Sequence, residues 1–200
     1  SIAKWQGDHW TPIESNFDKG VGDLVIGSMG HVYATGDFQA VNGVGVKYIA
    51  MWDGDEWFPL GEGLSNSGYA LAVNASGDLY AGGSFYTAGG ADVNFVARWD
   101  GEAWSALAGG MDSAVGALAA HPSGDVVAGG NFMTAGGVSA LHVARWDGQF
   151  WHAMGDGLDE AANAFGILKN GDVVALGGFA KAGSIFANRI ARWDGASWHP

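Results

Sequence analysis

Residues 49–95 read IAMWDGDEWFPLGEGLSNSGYALAVNASGDLYAGGSFYTAGGADVNF, and the same phrase recurs along the chain every 47 residues. The ten tryptophans fall into five pairs: Trp5/Trp10, Trp52/Trp57, Trp99/Trp104, Trp146/Trp151 and Trp193/Trp198. Phe38, Phe85, Phe132 and Phe179 keep the same register, and so do Gly30, Gly77, Gly124 and Gly171. A period that survives four copies without an insertion or deletion marks a repeat architecture and decides the fold.

One copy divides into four short strand candidates separated by turn chemistry. IAMWDG and EWFPL are joined at Asp53-Gly54, a dipeptide favoured in tight hairpins. YALAV is linked through Asn74–Gly77 to DLYAGGSF, and the Gly-rich stretch TAGG leads on to the next copy. Residues 159–168 (DEAANAFGIL) have local helix propensity, but they align with strand residues of the other copies. Four antiparallel strands in about 45–50 residues match a propeller blade. Such a blade cannot bury its faces alone, so the Trp pairs and the recurrent Phe are expected between stacked blades.

These residues resemble the kelch and galactose-oxidase-type β-propellers. The marks are a hydrophobic strand ending in Gly-Gly (Gly82-Gly83, Gly129-Gly130, Gly177-Gly178), then a strand with a large aromatic before a turn, then a Trp opening the next strand, as Trp104 and Trp151 do. The resemblance covers the whole chain. It departs from the family pattern in having Trp where Tyr is usual and in reading Thr35-Gly36 in the first copy. VARWDG is also similar to the Trp-Asp of WD repeats, without that family's Gly-His in its usual place. The resemblance implies a fold, and propellers host many unrelated activities.

The fold class expected is all-β: a β-propeller of four-stranded antiparallel blades. In kelch-like order the YALAV-type strand is innermost and the EWFPL-type strand outermost. Residues 1–200 then form a single domain with repeats 2–48, 49–95, 96–142 and 143–189 and a partial fifth, 190–200. The complete blades lie at roughly 20–60, 67–107, 114–154 and 161–200. Residues 1–13 are left as a surplus outer strand pair, since the same pair returns in IARWDGASWHP. The surplus suggests a segment of a longer array, a homo-oligomer, or one pair displacing the other on ring closure, because an unpaired strand is an association edge.

Composition narrows the partners. Nine Lys and Arg against 21 Asp and Glu give a net charge of −12, with no basic cluster. Nucleic acid and anionic membranes are therefore disfavoured. No apolar run reaches membrane length, so no membrane insertion is expected. With no cysteine there is no thiolate metal site, thiol nucleophile or Tyr-Cys copper centre. An acidic, Cys-free, Gly- and Trp-rich repeat fits an exported bacterial-type protein, extracellular or at the cell surface.

The candidates for chemistry are few. The six histidines, His9, His31, His121, His142, His152 and His199, are scattered through the repeat, whereas a metal needs convergent ligands. Asp78, Asp125 and Asp172 share one position and could form a carboxylate ring for Ca²⁺, although hairpin chemistry is the preferred explanation. Asp53, Asp100, Asp147 and Asp194 are read as Asp-Gly turn residues. Arg98, Arg145 and Arg192 are expected beside the tryptophans, making cation–π contacts and salt bridges. No catalytic residues, metal site or cofactor is expected, there being no G-x-S-x-G elbow and no Ser–His pairing suggestive of a triad. What varies on the constant scaffold is the position of Tyr48, Phe95, His142 and Arg189, with the loops GEGLSNSG, AGGMDSAV and GDGLDEAA. These make the candidate recognition face. The function expected is a noncatalytic binding or scaffold module with a protein or glycan partner. The alternatives are a lectin with one site per blade and a hydrolase or lyase at the channel mouth.

Overall fold

Apolar residues alternate with turn residues at intervals too short for a helix, and the described residues form strands and turns only. The computed structural model describes residues 2–27 and 30–200. A hairpin of β1 (Ile2–Trp5) and β2 (Trp10–Ile13) comes first. The first copy then supplies β3 (Val21–Ile26), β4 (Val32–Gly36), a short pair β5 (Ala40–Val41) and β6 (Val44–Gly45), β7 (Ile49–Trp52) and β8 (Trp57–Pro59). The second supplies β9 (Gly68–Val73), β10 (Leu79–Gly83), β11 (Thr87–Ala88), β12 (Ala91–Asp92), β13 (Val96–Trp99) and β14 (Trp104–Ala106). The third runs β15 (Val115–Ala120), β16 (Val126–Gly130), β17 (Thr134–Ala135), β18 (Val138–Ser139), β19 (Val143–Trp146) and β20 (Trp151–Ala153). The fourth runs β21 (Ala162–Ile167), β22 (Val173–Gly177), β23 (Lys181–Ala182), β24 (Ile185–Phe186), β25 (Ile190–Trp193) and β26 (Trp198–His199).

Each copy builds one four-stranded antiparallel sheet, in the orders β3-β4-β7-β8, β9-β10-β13-β14, β15-β16-β19-β20 and β21-β22-β25-β26. The first strands of successive sheets, β3, β9, β15 and β21, pack side by side. They are therefore innermost, and the EWFPL-type strands are outermost. The fold is a β-propeller of four-stranded blades. Residues 162–167 are strand β21: packing on β15 overrides the helix propensity of its alanines. The Gly-rich stretch is more than a connector, for it folds as the small hairpins β5–β6, β11–β12, β17–β18 and β23–β24. Gly89 and Gly90 turn β11–β12 with φ of +55° and +83°, the paired positive angles of a type I′ turn.

The Gly-Gly phrase has a steric origin, and the register corrects its fourth copy. A Cβ on Gly36, Gly83, Gly130 or Gly177 would sit 2.2, 2.3, 2.2 or 2.1 Å from the carbonyl oxygen of Gly20, Ser67, Ala114 or Ala161. The backbone entering each inner strand lies against that glycine, so no side chain fits. Gly82 pairs with Val96, Gly129 with Val143, Leu176 with Ile190 and Thr35 with Ile49. The fourth pair is thus Leu176-Gly177, not Gly177-Gly178. The position before the obligatory glycine faces the next blade: a Cβ on Gly82 or Gly129 would strike Val115 or Phe165.

Aromatic residues fill the layers between blades. Phe38, Phe85, Phe132 and Phe179 are completely buried. The second Trp of each later pair is buried as well, and its indole N–H donates to a carbonyl of the preceding unit: Trp57 to Glu14 (3.1 Å), Trp104 to Leu60 (3.0 Å), Trp151 to Leu107 (2.9 Å) and Trp198 to Met154 (2.8 Å). Burying an indole while pairing its one donor makes each Trp both packing and tether. Among the described residues Trp10 has no such acceptor and is 65% exposed.

The blades form an arc. Among the described residues β21 does not pack back on β3 as the other successive inner strands pack on one another. The fourth blade keeps β25–β26, so the C-terminal pair is not displaced by its N-terminal counterpart. β1–β2 remains a separate two-stranded sheet against blade 1, with Ile2 and Ile13 packed on the buried cluster that holds Phe38, Val41 and Trp57.

Candidate recognition rim

Tyr48, Phe95, His142 and Arg189 occupy the residue just before the third strand of each blade. All four adopt left-handed backbone, with φ of +71°, +71°, +62° and +76°. The cause is a two-sided clamp. Their N–H groups donate to the carbonyls of the buried phenylalanines Phe38, Phe85, Phe132 and Phe179 at 2.8–2.9 Å. Their carbonyls accept from the N–H of Gly36, Gly83, Gly130 and Gly177 at 3.0–3.2 Å. Fixed between a core aromatic and an obligatory glycine, the residue cannot relax to negative φ. For residues of this size left-handed backbone is uncommon and strained by roughly 1–2 kcal/mol.

The side chains differ while the backbone repeats. Tyr48 accepts from Gln39 Nε2 through its hydroxyl (2.9 Å), and Phe95 lies 4.9 Å from the Tyr86 ring. The His142 ring Nδ1 hydrogen-bonds the Gly130 carbonyl at 3.0 Å, and Arg189 is exposed. Tyr48 borders a groove of about 350 Å³ with Lys47, Glu62 and Thr87. His142 borders one of about 230 Å³ with Asn131, Glu160 and Asn163. Both grooves lie where two neighbouring blades meet. Arg189→Gly should raise stability by about 0.5–1 kcal/mol by removing the strain at an exposed site. Thermal unfolding measures this, and a loss of stability would show that the arginine side chain contributes to the fold.

The flanking loops are less free than their sequences suggest. Asp18, Ser65, Asp112 and Asp159 share one position, and each side-chain oxygen accepts two consecutive N–H groups of its blade's short hairpin: Gln39/Ala40, Tyr86/Thr87, Met133/Thr134 and Ala180/Lys181. Sequence reading missed this clamp, although the Asp/Ser recurrence at 47 residues carried the signal.

The aspartate ring does not assemble. Asp78 is bound by Arg98 (3.0 Å), Asp125 by Arg145 (2.5 Å) and Asp172 by Arg192, each across its own blade. Asp78, Asp125 and Asp172 therefore serve as ion-pair partners at the start of the second strand. Among the described residues no group of three His, Cys, Asp or Glu could hold a metal ion. The arginines are spent on these pairs, and the described cation–π contact is instead Lys181 over Phe186, 5.1 Å from the ring centroid.

Asp53, Asp100, Asp147 and Asp194 each accept the two N–H groups that close the Asp-Gly turn. Those donors hold all four carboxyls below the ordinary range, and His152 and His199 add to the effect at Asp147 and Asp194. The Arg192 contact lowers Asp172 in the same direction. A carboxylate depressed in the folded state stabilises the fold above its unfolded pKa, near 4, and that stabilisation is lost as pH falls through the folded value. The urea midpoint should hold level from about pH 7 to 5 and fall steadily below about pH 4. Denaturation series at fixed pH test this, and a midpoint that rose on acidification would contradict it.

Two serines do lie beside histidines, but neither arrangement is a triad. Ser197 Oγ (3.3 Å) and Asp194 Oδ2 (2.7 Å) both contact Nε2 of His199. A triad needs the base and its orienting acid on opposite ring nitrogens. His121 Nδ1 meets both the hydroxyl (2.7 Å) and the N–H (3.1 Å) of Ser123, while Nε2 reaches the Gly171 carbonyl at 2.7 Å. His121 takes the turn-closing place of Asn74, which accepts from Ser76 and Asp78, and it ties blade 3 to blade 4. At the channel mouth, a cavity of about 320 Å³ among the four inner strands includes Asp23. Asp23 caps the N–H groups of Leu24 and Leu71, both at 2.8 Å.

No protein-family model matches the sequence, and neither does any curated protein sequence. Solved structures do resemble the fold. The YCF48 structure bound to a D1 peptide superposes over the whole chain with a TM-score of 0.58 at 15% identity, and the chain spans 59% of it. The WD40 β-propeller domain of Doa1 superposes over 86% of the chain with a TM-score of 0.53 at 16% identity, and the chain spans 52% of it. This likeness supports a propeller of a general kind and does not single out the kelch subtype. Among the described residues no helix is long and apolar enough to cross a membrane.

Proposed function

We propose that the chain is a noncatalytic protein-binding scaffold of kelch-like type that grips extended peptide segments along the rim of Tyr48, Phe95, His142 and Arg189. One observation carries this reading: four equivalent, strained backbone positions hold four chemically different side chains, where glycine would fit without strain. Strain maintained at a repeated position is a mark of a recognition site. The YCF48 propeller was solved with a peptide bound, which favours a peptide over a glycan. The burial of Trp57, Trp104, Trp151 and Trp198 also counts against sugar-stacking platforms in each blade. Export to the cell surface belongs to the same reading on grounds of composition, and assembly through the N-terminal strand pair on grounds of its open edge.

Peptides selected from a random display library against the chain test the rim. Replacing all four rim residues by glycine should weaken selected peptides more than tenfold while the melting temperature holds or rises. Selected peptides that bind the quadruple variant unchanged would place recognition elsewhere.

A further inference from the structure

The innermost strands β3, β9, β15 and β21 each pair on one side only. In an antiparallel ladder alternate residues turn their N–H and C=O groups away from the partner strand. The hairpin turns fix which residues these are. Gly27, Asn74, His121 and Leu168 donate across their turns to the carbonyls of His31, Asp78, Asp125 and Asp172. Counting back in twos, Val25, Ala72, Ala119 and Gly166 face their partners. Leu24, Leu71, Leu118 and Phe165, one repeat apart, therefore turn their N–H groups into the channel.

Two of these four N–H groups are already held by a carboxylate. Asp23 Oδ1 accepts from Leu24 and Oδ2 from Leu71, so one carboxylate spans the same backbone position in two successive blades. The counterparts of Asp23 are Ala70, Ala117 and Ala164, and no side chain does the same for Leu118 and Phe165. Among the described residues neither of these N–H groups has an acceptor. They stand on neighbouring strands, β15 packing on β21 as β3 packs on β9. Both line the channel-mouth cavity of about 320 Å³. Gly22 and Gly116 leave that mouth open, while Tyr69 and Asn163, at the same repeat position, wall it. Among the described residues Asp23 is the one charged residue in the lining, and both of its oxygens are turned to N–H groups.

We propose that Leu118 and Phe165 form a carboxylate-binding site at the channel mouth, their N–H groups holding a ligand carboxylate as those of Leu24 and Leu71 hold Asp23. The fold supplies the pattern for its own ligand. Backbone N–H groups that converge in a concavity bind anions without a basic side chain, and a charged acceptor makes such hydrogen bonds roughly twice as strong as neutral ones. The Asn163 carboxamide, at the same mouth, offers a further donor to the ligand. Asp23 shares the cavity, and its charge opposes a second carboxylate, so the probes below are titrated into the millimolar range. The ligand's carboxyl group is that of a peptide C-terminus, an acidic side chain or a small free acid. This site goes beyond the rim reading and does not rest on it, because its two donors are main-chain groups of the inner strands.

Amide NMR of the full chain tests the site with three carboxylate probes: acetate, N-acetyl-triglycine, and an acetylated, amidated peptide with one central aspartate. The amides of Leu118 and Phe165 should shift together on titration. The tightest of the three probes identifies the source as a free acid, a C-terminus or a side chain. Amidated N-acetyl-triglycine should bind at least tenfold more weakly than the free acid, and ethylammonium should leave both amides unmoved. Ala117→Asp copies the Asp23 arrangement into blade 3 and should abolish the response while the melting temperature holds or rises. Asp23→Ala gives blade 1 the alanine of the other three. It should bring the Leu24 and Leu71 amides into the response and tighten binding several-fold. The proposal fails if no carboxylate probe moves Leu118 and Phe165, or if the amidated peptide or ethylammonium moves them equally. It fails also if a folded Ala117→Asp chain responds as before, or if Leu24 and Leu71 stay silent in folded Asp23→Ala.

Discussion

Gly130→Ala should cost the protein about 3 kcal/mol or more, although it adds one methyl group. That methyl would be placed 2.2 Å from the carbonyl oxygen of Ala114 and 3.0 Å from the Cα of Val115. Both are backbone, so relief requires separating β15 from β16 rather than turning a side chain. Separation would also disturb the Gly130 N–H, which donates to the His142 carbonyl at 3.2 Å. The effect therefore reaches the rim. Gly116→Ala is the control, because a Cβ there meets nothing within 4 Å and its φ is not left-handed. It should change stability by less than about 0.5 kcal/mol. Denaturant midpoints of the two variants, Gly116 being the bulged residue beside Gly130's partner Val115, decide the matter. Equal effects would show that the packing of β15 on β16 is looser than described.

Trp151→Ala should cost about 3–5 kcal/mol, while Trp10→Ala at the same repeat position should cost under about 0.5 kcal/mol. Trp151 is 3% exposed, and its indole donates to the Leu107 carbonyl. Its removal empties the layer between two blades and takes one of two donors from the Leu107 carbonyl, which keeps the Gly110 N–H at 3.0 Å. Trp10 is 65% exposed. Trp151→Phe separates the two contributions, since it keeps much of the ring area and loses only the donor; a cost of about 1–2 kcal/mol is expected. Similar losses at Trp10 and Trp151 would show that β1–β2 is covered in solution.

The blade was legible because its signals repeat. Hairpin dipeptides, paired tryptophans and the recurrent Phe gave strand number, order and stacking from the period alone. Other features needed the third dimension. The match of Leu176-Gly177 to Gly82-Gly83 is hidden by Gly178, which stands where the second copy has Ser84, and only the pairing of Leu176 with Ile190 reveals it. The short hairpins escaped because two-residue strands carry no periodicity. Salt bridges were expected of Arg98, Arg145 and Arg192, but their aspartate partners were not evident because they lie 20 residues away and meet the arginines only through sheet register. At the candidate rim, the variability of Tyr48, Phe95, His142 and Arg189 could be read directly. Their shared left-handed backbone could not, for three of them are residue types that rarely adopt it. The clamp of Asp18, Ser65, Asp112 and Asp159 was masked by Ser65 and by the drift of its neighbours.

The indole tethers all point one way. Each second Trp holds the unit before it: Trp57 reaches back to Glu14, and Trp198 reaches back to Met154. Removing the fourth blade would leave the remaining indoles of the second Trp positions paired. Removing residues 1–14 would orphan the N–H of Trp57 beneath blade 1. The tethers therefore give the arc a polarity: each unit relies on the one before it for its indole's acceptor, and on none that follows.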